Sequence, residues 1–261
     1  MAIAALCVMA FSLTSCATKV GPRDDPSVVD STAIPTTALC RDLLPSDLAE
    51  RSNATKTVPC TDPHNDVTLI VGTLPADYTG LKVGDDKITQ FLYGICEGAL
   101  ESALGTDEST VMRSMLSWAA FRPSDTAWKD GARWYRCDLV GGTTKSTVLL
   151  DLPVKTTGLL SGTTPDEWMA CAVGASVATG KVVPCSQQHS WRAVTTIKLG
   201  EDNTSYPGDA VAEAKTKQYC SDSVDAWLGY PASFDFGYTW FGQMQWDAGN
   251  RRSVCWAKTD A

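Results

Sequence analysis

Residues 128–137, WKDGARWYRC, contain a tryptophan, a glycine, an arginine and a cysteine that recur at the same spacing in residues 246–255, WDAGNRRSVC. The shared pattern is Trp-x2-Gly-x-Arg-x3-Cys. The chain has ten cysteines, and each of these segments ends with the last cysteine of a set of four. The first set is Cys40, Cys60, Cys96 and Cys137, and the second is Cys171, Cys185, Cys220 and Cys255.

Two other features recur in the same order. Residues 58–64, VPCTDPH, return as residues 183–189, VPCSQQH, and these segments hold the only two histidines of the chain. The third cysteine of each set is followed eight residues later by Leu-Gly, at 104–105 and 228–229. Three coincidences in one order indicate internal duplication, so we expect two modules of the same fold.

The N-terminus has the character of an export signal. Residues 1–16, MAIAALCVMAFSLTSC, have no charged side chain and are too short an apolar run to span a bilayer. They end in Leu13-Thr14-Ser15-Cys16, which resembles a bacterial lipobox. We therefore predict lipidation of Cys16 and an extracytoplasmic protein attached to the cell membrane by its lipid. The alternative is an ordinary secretory signal in which Cys16 has no role.

The composition of the rest of the chain separates a tether and a linker from the two modules. Residues 17–38 are rich in Pro, Asp, Ser and Thr without apolar periodicity, which predicts a disordered tether. The predicted organisation is a signal peptide with lipobox (1–16), the tether (17–38), a first disulfide-stapled module (39–142), a linker (143–162) and a second disulfide-stapled module (163–261). The apolar part of the linker, 147–160, could lie against one module.

Hydrophobic periodicity predicts the same elements in each module: a strand, a helix and two closing strands. Val67, Leu69 and Val71 alternate in the first strand, and the helix that follows is bounded by Asp85 and Gly105. In the second module the predicted inner face of the helix is Val211, Ala214, Cys220, Val224, Trp227 and Leu228. This order predicts an α+β fold: two tandem small modules, each a short antiparallel sheet packed by one main helix and stapled by two disulfides.

Eight cysteines in two sets fit disulfides formed outside the cytosol. Four cysteines allow three connectivities per module. The first two flank a short turn-rich segment, the third lies on the helix face that covers the sheet, and the fourth lies in a strand. This geometry favours first-with-second and third-with-fourth, with no bridge between the modules, so that each repeat would fold on its own.

The repeated histidines and Trp-Gly-Arg turns have two interpretations each. His64 and His189 could hydrogen-bond the backbone at the start of a strand, which we favour, or belong to a binding site. The turns at Trp128–Arg133 and Trp246–Arg251 could be structural, with Arg stacked on Trp, or could recognise an anionic or sugar ligand. The candidate binding residues are His64, His189, Trp128, Arg133, Trp246 and Arg251.

The sequence gives little support to nucleic-acid binding, to the common catalytic motifs or to a zinc site. The net charge of −8 and the acidic excess in both modules disfavour nucleic-acid binding. Paired cysteines leave no thiolate nucleophile for a Cys–His enzyme and no ligands for a zinc site. Nucleophile-elbow and phosphate-loop motifs are missing from the sequence. We therefore expect no catalytic residues, no metal and no cofactor.

Read in this way, the sequence resembles the bacterial septum-formation-type domain, a family of exported or membrane-attached proteins. The resemblance rests on residues 58–64 for a V-P-C-x-x-P-H-like stretch and on Tyr206-Pro207-Gly208 for a Y-P-G-like helix entry. Residues 185–189 lack the proline, and Tyr78-Thr79-Gly80 replaces Y-P-G in the first copy. The resemblance implies a role in the cell envelope with a link to cell division, and it carries no catalytic residues.

These observations together predict a membrane-anchored extracytoplasmic lipoprotein that acts as a non-catalytic binding or interaction protein of the cell envelope. Its partner would be an envelope protein or polymer that the sequence does not identify. The alternative is a hydrolase acting on envelope polymer or lipid. A pocket that holds two carboxylates, or His64 beside an acid, would favour that alternative.

Overall fold

The computed structural model describes residues 23–143, 145–201 and 203–259. They form two five-stranded antiparallel sheets, each packed by one long helix. The predicted α+β class with two tandem modules is confirmed. The predicted signal segment, its lipobox cysteine and residues 17–22 lie outside the described residues.

The two modules contain corresponding elements. The first consists of α1 (Ser27–Asp30), β1 (Cys40–Arg41), a 3-10 turn (Pro45–Ala49), β2 (Thr57–Val58), β3 (Asp66–Thr73), a second 3-10 turn (Ala76–Tyr78), α2 (Asp86–Leu104), α3 (Glu108–Met112), β4 (Ser117–Phe121), α4 (Asp125–Lys129) and β5 (Trp134–Val140). The second consists of β6 (Ala170–Val173), β7 (Lys181–Pro184), β8 (Trp191–Lys198), α5 (Asp209–Trp227), β9 (Phe236–Thr239), α6 (Gln243–Ala248) and β10 (Arg252–Lys258). The strand orders, β2-β1-β3-β5-β4 and β7-β6-β8-β10-β9, are the same, as duplication requires.

Helix α2 follows the sequence prediction closely. The Asp85 side chain accepts a hydrogen bond from the backbone N–H of Lys87, and Gly105 ends the helix at a φ of 69°. One stripe at four-residue spacing is buried against the sheet: Ile88, Leu92, Cys96, Leu100 and Leu104. Burial of this stripe holds the helix in place.

Helix α5 differs from the prediction in its inner face. The buried residues are Ala212, Thr216, Cys220 and Val224, at the same four-residue spacing as in α2. Val211, Ala214 and Trp227 are exposed, so their placement on the inner face was wrong. The disulfide fixes Cys220 against the sheet, and that orientation turns the neighbouring apolar side chains outward. Thr216 is accommodated because its hydroxyl donates to Ser253 Oγ at 2.8 Å.

The four disulfides pair as predicted. Cys40 is bonded to Cys60 and Cys171 to Cys185 near the sheet edge, whereas Cys96–Cys137 and Cys220–Cys255 tie each helix to a strand. No bridge links the modules among these eight cysteines. Each helix is therefore covalently held to the strand beneath it.

The sheet face turned away from the helix carries a buried ionic cluster in the first module. Because Cys137 faces α2, its neighbours Arg136 and Asp138 face the other way. Arg136 Nε lies 2.9 Å from Asp138 Oδ2, and Arg41 Nη1 lies 3.4 Å from Asp66 Oδ1. All four side chains are fully buried. We call Arg41, Asp66, Arg136 and Asp138 the ionic cluster.

The corresponding face of the second module is apolar. Ala172, Trp191, Val254 and Trp256 occupy the sequence positions equivalent to the ionic cluster, and they belong to one buried hydrophobic cluster. Met115 of the first module completes that cluster. This face of the sheet therefore carries the ionic cluster in the first module. In the second module the same face packs against Met115 of the first module.

The segments around the first module pack against it. In residues 23–38, Val29 is buried, its carbonyl accepts from Ser124 N, and Ser31 O accepts from the Trp134 indole at 2.9 Å. This part of the predicted tether is therefore ordered rather than disordered, because it buries an apolar side chain and satisfies polar groups of the module. Residues 149–160 of the predicted linker also pack on the first module, and we call them the strap.

The modules share contacts at a joint between α3 and the start of the second module. Trp168 is buried in the core of the first module, beside Leu100 and Leu104. Ala170 N donates to Arg113 O at 2.8 Å, and Glu108 is ion-paired with Arg252. The orientation of the modules is thus fixed by buried contacts. None of the helices in residues 23–143, 145–201 and 203–259 has the length and hydropathy of a membrane span.

Candidate functional site

Both histidines make the same local contact. Nδ1 of His64 lies 2.8 Å from Asp62 O, and Nδ1 of His189 lies 2.7 Å from Gln187 O. Both rings are buried. A repeated contact to the carbonyl two residues earlier fits the structural interpretation, in which the imidazole orders the entry to a strand. Every described cysteine is in a disulfide, so neither histidine has a thiolate beside it.

The Trp-Gly-Arg turns also have corresponding geometry. The guanidinium carbon lies 4.1 Å from the tryptophan ring centroid in both Arg133–Trp128 and Arg251–Trp246. Gly131 has a φ of 96° and the equivalent glycine in the second module a φ of 124°, values that favour glycine. Each arginine donates to the carbonyl of its tryptophan. These contacts close the turn, as the structural interpretation expects.

The second of these turns also borders a groove between the modules. Gln90 and Tyr93 of α2 form one wall, and Trp246, Asp247 and Arg251 form the other. Two adjoining cavities of about 230 and 600 Å³ share Gln90, Asp247 and Arg251. We call this the inter-module groove. Trp128 and Arg133 of the first turn are not among the residues that line these two cavities.

Close packing positions the groove walls. A Cβ atom added to Gly249 would lie 2.5 Å from Cγ of Tyr93, so a larger residue would push the two modules apart. Tyr206 and Gln243 extend the polar lining at the outer end. The glycine of this turn is therefore required both by its backbone conformation and by contact with the other module.

The inner end of the groove holds Glu97 and Glu108, with Lys198 beside them. Burial, and secondarily the neighbouring Glu108, raise the pKa of Glu97 to about 7, while the Tyr93 hydroxyl donates to Glu97 Oε1 at 3.2 Å. Burial also raises the pKa of Tyr93. Glu108 pairs with Arg252. The groove therefore places a carboxyl that takes up a proton near neutral pH beside a carboxylate with a cationic partner.

A second groove lies beside His189. A cavity of about 490 Å³ is lined by Arg113, His189, Arg192, Val194 and Trp227, among others, and we call it the His189 groove. Arg192 pairs with Asp166 at 2.6 Å. Arg113 donates to Val194 O and Ser109 O, and burial lowers its pKa. The groove thus combines apolar and cationic side chains.

The predicted binding residues are not brought together into one site. His64 is buried under the strap, His189 borders its own groove, and Trp246 with Arg251 border the inter-module groove. The described residues contain no group of three or more His, Cys, Asp or Glu arranged to hold a metal ion.

Sequence reasoning missed the residues that distinguish the two copies. Arg192 stands where the first module has Val67, in a strand position that packs under the helix. Glu97 follows a disulfide cysteine on a helix and has no unusual sequence context. Comparison of the copies position by position would have singled out Arg192, whereas Glu97 depends on how the modules meet.

The chain matches a known protein family. The family model described as "Septum formation" matches residues 111–255. The matched range begins at the joint, includes the last two strands of the first module and extends to Cys255 in β10. The segment 58–64 lies outside it, and Tyr206-Pro207-Gly208 lies within it. No curated protein and no solved structure matches the chain.

Proposed function

The chain belongs to the septum-formation family, and from that premise we propose that it is a non-catalytic binding protein of the cell envelope that acts in septum formation. A lipid on Cys16 would hold it at the outer face of the cell membrane. The lipobox-like residues 13–16 support the anchor, and eight cysteines in disulfides agree with an oxidising compartment.

The observation that carries the proposal is the inter-module groove. Its walls come from both modules, and the buried joint keeps them in place without a ligand. A preformed groove loses less conformational entropy on binding than one that must be assembled. Clefts between domains are also a common location for ligand sites.

The lining supports a polar ligand. Gln90 and Gln243 offer amide groups, and the Tyr206 hydroxyl, which donates to Asp209, offers an acceptor oxygen. Arg251 adds a guanidinium stacked on Trp246. These groups hydrogen-bond hydroxyl, amide and carboxylate groups. We therefore propose that the groove binds an envelope polymer rich in hydroxyl and amide groups.

Binding can be tested with the full-length lipoprotein in detergent and isolated insoluble envelope polymer, by measuring the fraction that sediments with the polymer. Gln90→Ala combined with Gln243→Ala should weaken binding about tenfold or more, because each amide hydrogen bond contributes roughly 0.5–1.5 kcal/mol. The matched control is Gln218→Ala, an exposed glutamine of α5 outside the groove. A parent protein that does not bind, or a double variant that binds as well as the parent, would overturn the proposal.

A second candidate function is favoured by one specific observation. Glu97, with its pKa raised to about 7, and Glu108, paired with Arg252, resemble the acid and base of a polymer hydrolase. In that case the parent would release soluble fragments from envelope polymer, and Glu97→Gln would abolish the release in a folded protein. Turnover with that dependence would replace the binding function by the hydrolase. Under the binding function, Glu97→Gln changes no turnover because there is none.

A further inference from the structure

In the first module, the strap fills a groove at the C-terminal end of the helix. Leu152 N donates to His64 O at 2.7 Å, Gly158 N to Ala103 O at 2.8 Å and Leu160 N to Leu104 O at 3.1 Å. The Leu152 and Leu160 side chains are buried in the core cluster that also contains the last turn of α2. At this groove the strap is held by these three backbone hydrogen bonds and by leucine side chains, and next to the groove Leu150 N donates to Gly141 O at 2.6 Å.

The second module has the same groove without a strap. By the repeat, His189, Trp227 and Leu228 are equivalent to the three residues whose carbonyls accept from the strap. No backbone N–H in residues 23–143, 145–201 or 203–259 donates to these three carbonyls. The space is the His189 groove, and Trp227 beside it is 50% exposed.

The side chains of the His189 groove add a charge that the first module lacks. Arg192 replaces Val67, and Arg113, the residue that follows α3 of the first module, enters the groove. Asp166 pairs with Arg192, whereas the hydrogen bonds of Arg113 go to neutral oxygens. Among the residues that line the groove, two guanidinium groups face one carboxylate, and this balance is complementary to a ligand with a carboxylate of its own. Asp107, outside the lining, also acts on the charge of Arg113.

We propose that the His189 groove binds an extended segment of a partner protein that carries leucine-like side chains and an acidic residue. The segment would lie as the strap lies in the first module, with its backbone N–H groups donating to His189 O and Leu228 O. Its apolar side chains would cover Val194 and Trp227, and its carboxylate would face Arg113. This goes beyond the proposed function, because it assigns a protein partner to a groove separate from the one proposed for polymer.

The strap itself supplies the probe, because its residues 149–152 are Leu-Leu-Asp-Leu. A fluorescent peptide with the sequence of residues 147–160 is titrated with the full-length lipoprotein in detergent, and fluorescence anisotropy is measured. We expect saturable binding that Trp227→Ala weakens at least tenfold. The matched control is Tyr219→Ala, a partly exposed aromatic residue of α5 outside the groove, which should leave binding unchanged.

The role of charge is tested in the peptide rather than in the protein. Replacing the peptide residue that corresponds to Asp151 by asparagine should weaken binding several-fold, and added salt should reduce that difference. No binding to the parent, or equal binding to Trp227→Ala, would overturn the proposal. Concentration-dependent dimers that the peptide dissociates would show that the occupant is a second copy, and would overturn the partner assignment as well.

The two proposals fail separately. Trp227→Ala should keep full binding to envelope polymer, and the Gln90→Ala, Gln243→Ala variant should keep full binding to the peptide. Loss of only one activity in each variant identifies which groove is at fault. Loss of both in either variant would contradict the assignment of separate grooves.

Discussion

The backbone N–H of Met115 donates to the carbonyl of Trp168 at 2.8 Å, and each of these residues packs into the core of the other module. Met115 precedes β4 of the first module but lies on the second sheet. Trp168 precedes β6 of the second module but lies beside the C-terminal turn of α2. The modules are therefore joined by exchanged core residues, and a cut between them would expose both cores.

The first prediction concerns this joint. Trp168→Ala should lower the free energy of unfolding by about 3–5 kcal/mol, because it leaves a cavity in the first core. Met115→Ala should cost about 2–5 kcal/mol for the same reason in the second core. Urea unfolding followed by circular dichroism measures both, and the parent should unfold in one transition.

The matched control for the joint is Met244→Ala, since Met244 is 78% exposed and should change stability by no more than about 0.5 kcal/mol. Two separate transitions in the parent, with Met115→Ala affecting only one of them, would mean that each repeat folds on its own. That result would support the expectation drawn from the duplicated sequence.

The second prediction concerns the disulfides. Replacing Cys96 and Cys137 together by alanine should lower the free energy of unfolding by about 4 kcal/mol in the chain-entropy model, since the closed loop spans 41 residues. Replacing Cys220 and Cys255 should cost nearly as much, because that loop spans 35 residues. Denaturant melts of the non-reduced proteins test this. Peptide mapping that finds a free thiol among the parent's eight module cysteines would refute the pairing.

The third prediction concerns the anchor. Cys16→Ala should move the protein from the membrane fraction to the soluble fraction, because no lipid can then be attached. One acyl chain binds a membrane only marginally, so firm attachment implies several chains on Cys16. Fractionation of cells that produce the parent and the variant is the measurement. Equal membrane retention of the two proteins would rule out the lipid on Cys16.

The periodicity of apolar residues was sufficient to predict a helix whose position is set mainly by the burial of one apolar stripe. The stripe of α2 repeats every four residues and includes its disulfide cysteine, so the helix, its caps and the burial of Cys96 could all be predicted. In α5 the apolar residues Val211 and Trp227 indicate a different inner face from the one that is buried, because the buried stripe includes the polar Thr216. Only the pairing of Thr216 with Ser253 shows why the polar residue is the buried one.

The grooves could not be predicted in the same way, because they depend on contacts distant in sequence. Trp246 and Arg251 were predicted as candidates from the repeat, yet their groove exists only because Tyr93 of α2 packs against Gly249. The ionic cluster was missed because its four residues lie on three strands, β1, β3 and β5, that are distant in sequence. The available signal was the position of Arg136 and Asp138 in β5 on either side of a cysteine that faces the helix. Side chains alternate along a strand, so both residues point to the opposite face of the sheet.

The fourth prediction concerns the ionic cluster. Asp138→Asn should lower the free energy of unfolding by about 3–5 kcal/mol, because it leaves the buried Arg136 and Arg41 without a full counter-charge. Asp235→Asn is the matched control, since Asp235 forms an exposed ion pair with Lys258 and should cost at most about 1 kcal/mol. Chemical denaturation compares the two variants. Equal costs would mean that the buried pair contributes no more than a surface one.

The fifth prediction concerns the pH dependence of Glu97. Its pKa is raised from an ordinary 4.5 to about 7, so the folded protein holds this proton more tightly than the unfolded chain does. Glu97 therefore favours folding less as the pH rises from about 4.5 to about 7, and its contribution is constant above that range. Glu97→Gln should flatten this decline in the free energy of unfolding.

Part of the decline should remain in the Glu97→Gln variant, because burial and Asp138 raise the pKa of Asp66 as well. The control is Glu167→Gln, which removes an exposed carboxylate that lines neither groove and should leave the decline as it is in the parent. Unfolding by urea at a series of pH values between 4 and 8 supplies the comparison. A Glu97→Gln variant whose pH dependence overlays that of the parent would mean that folding does not raise the pKa of Glu97, and the hydrolase alternative would lose its acid.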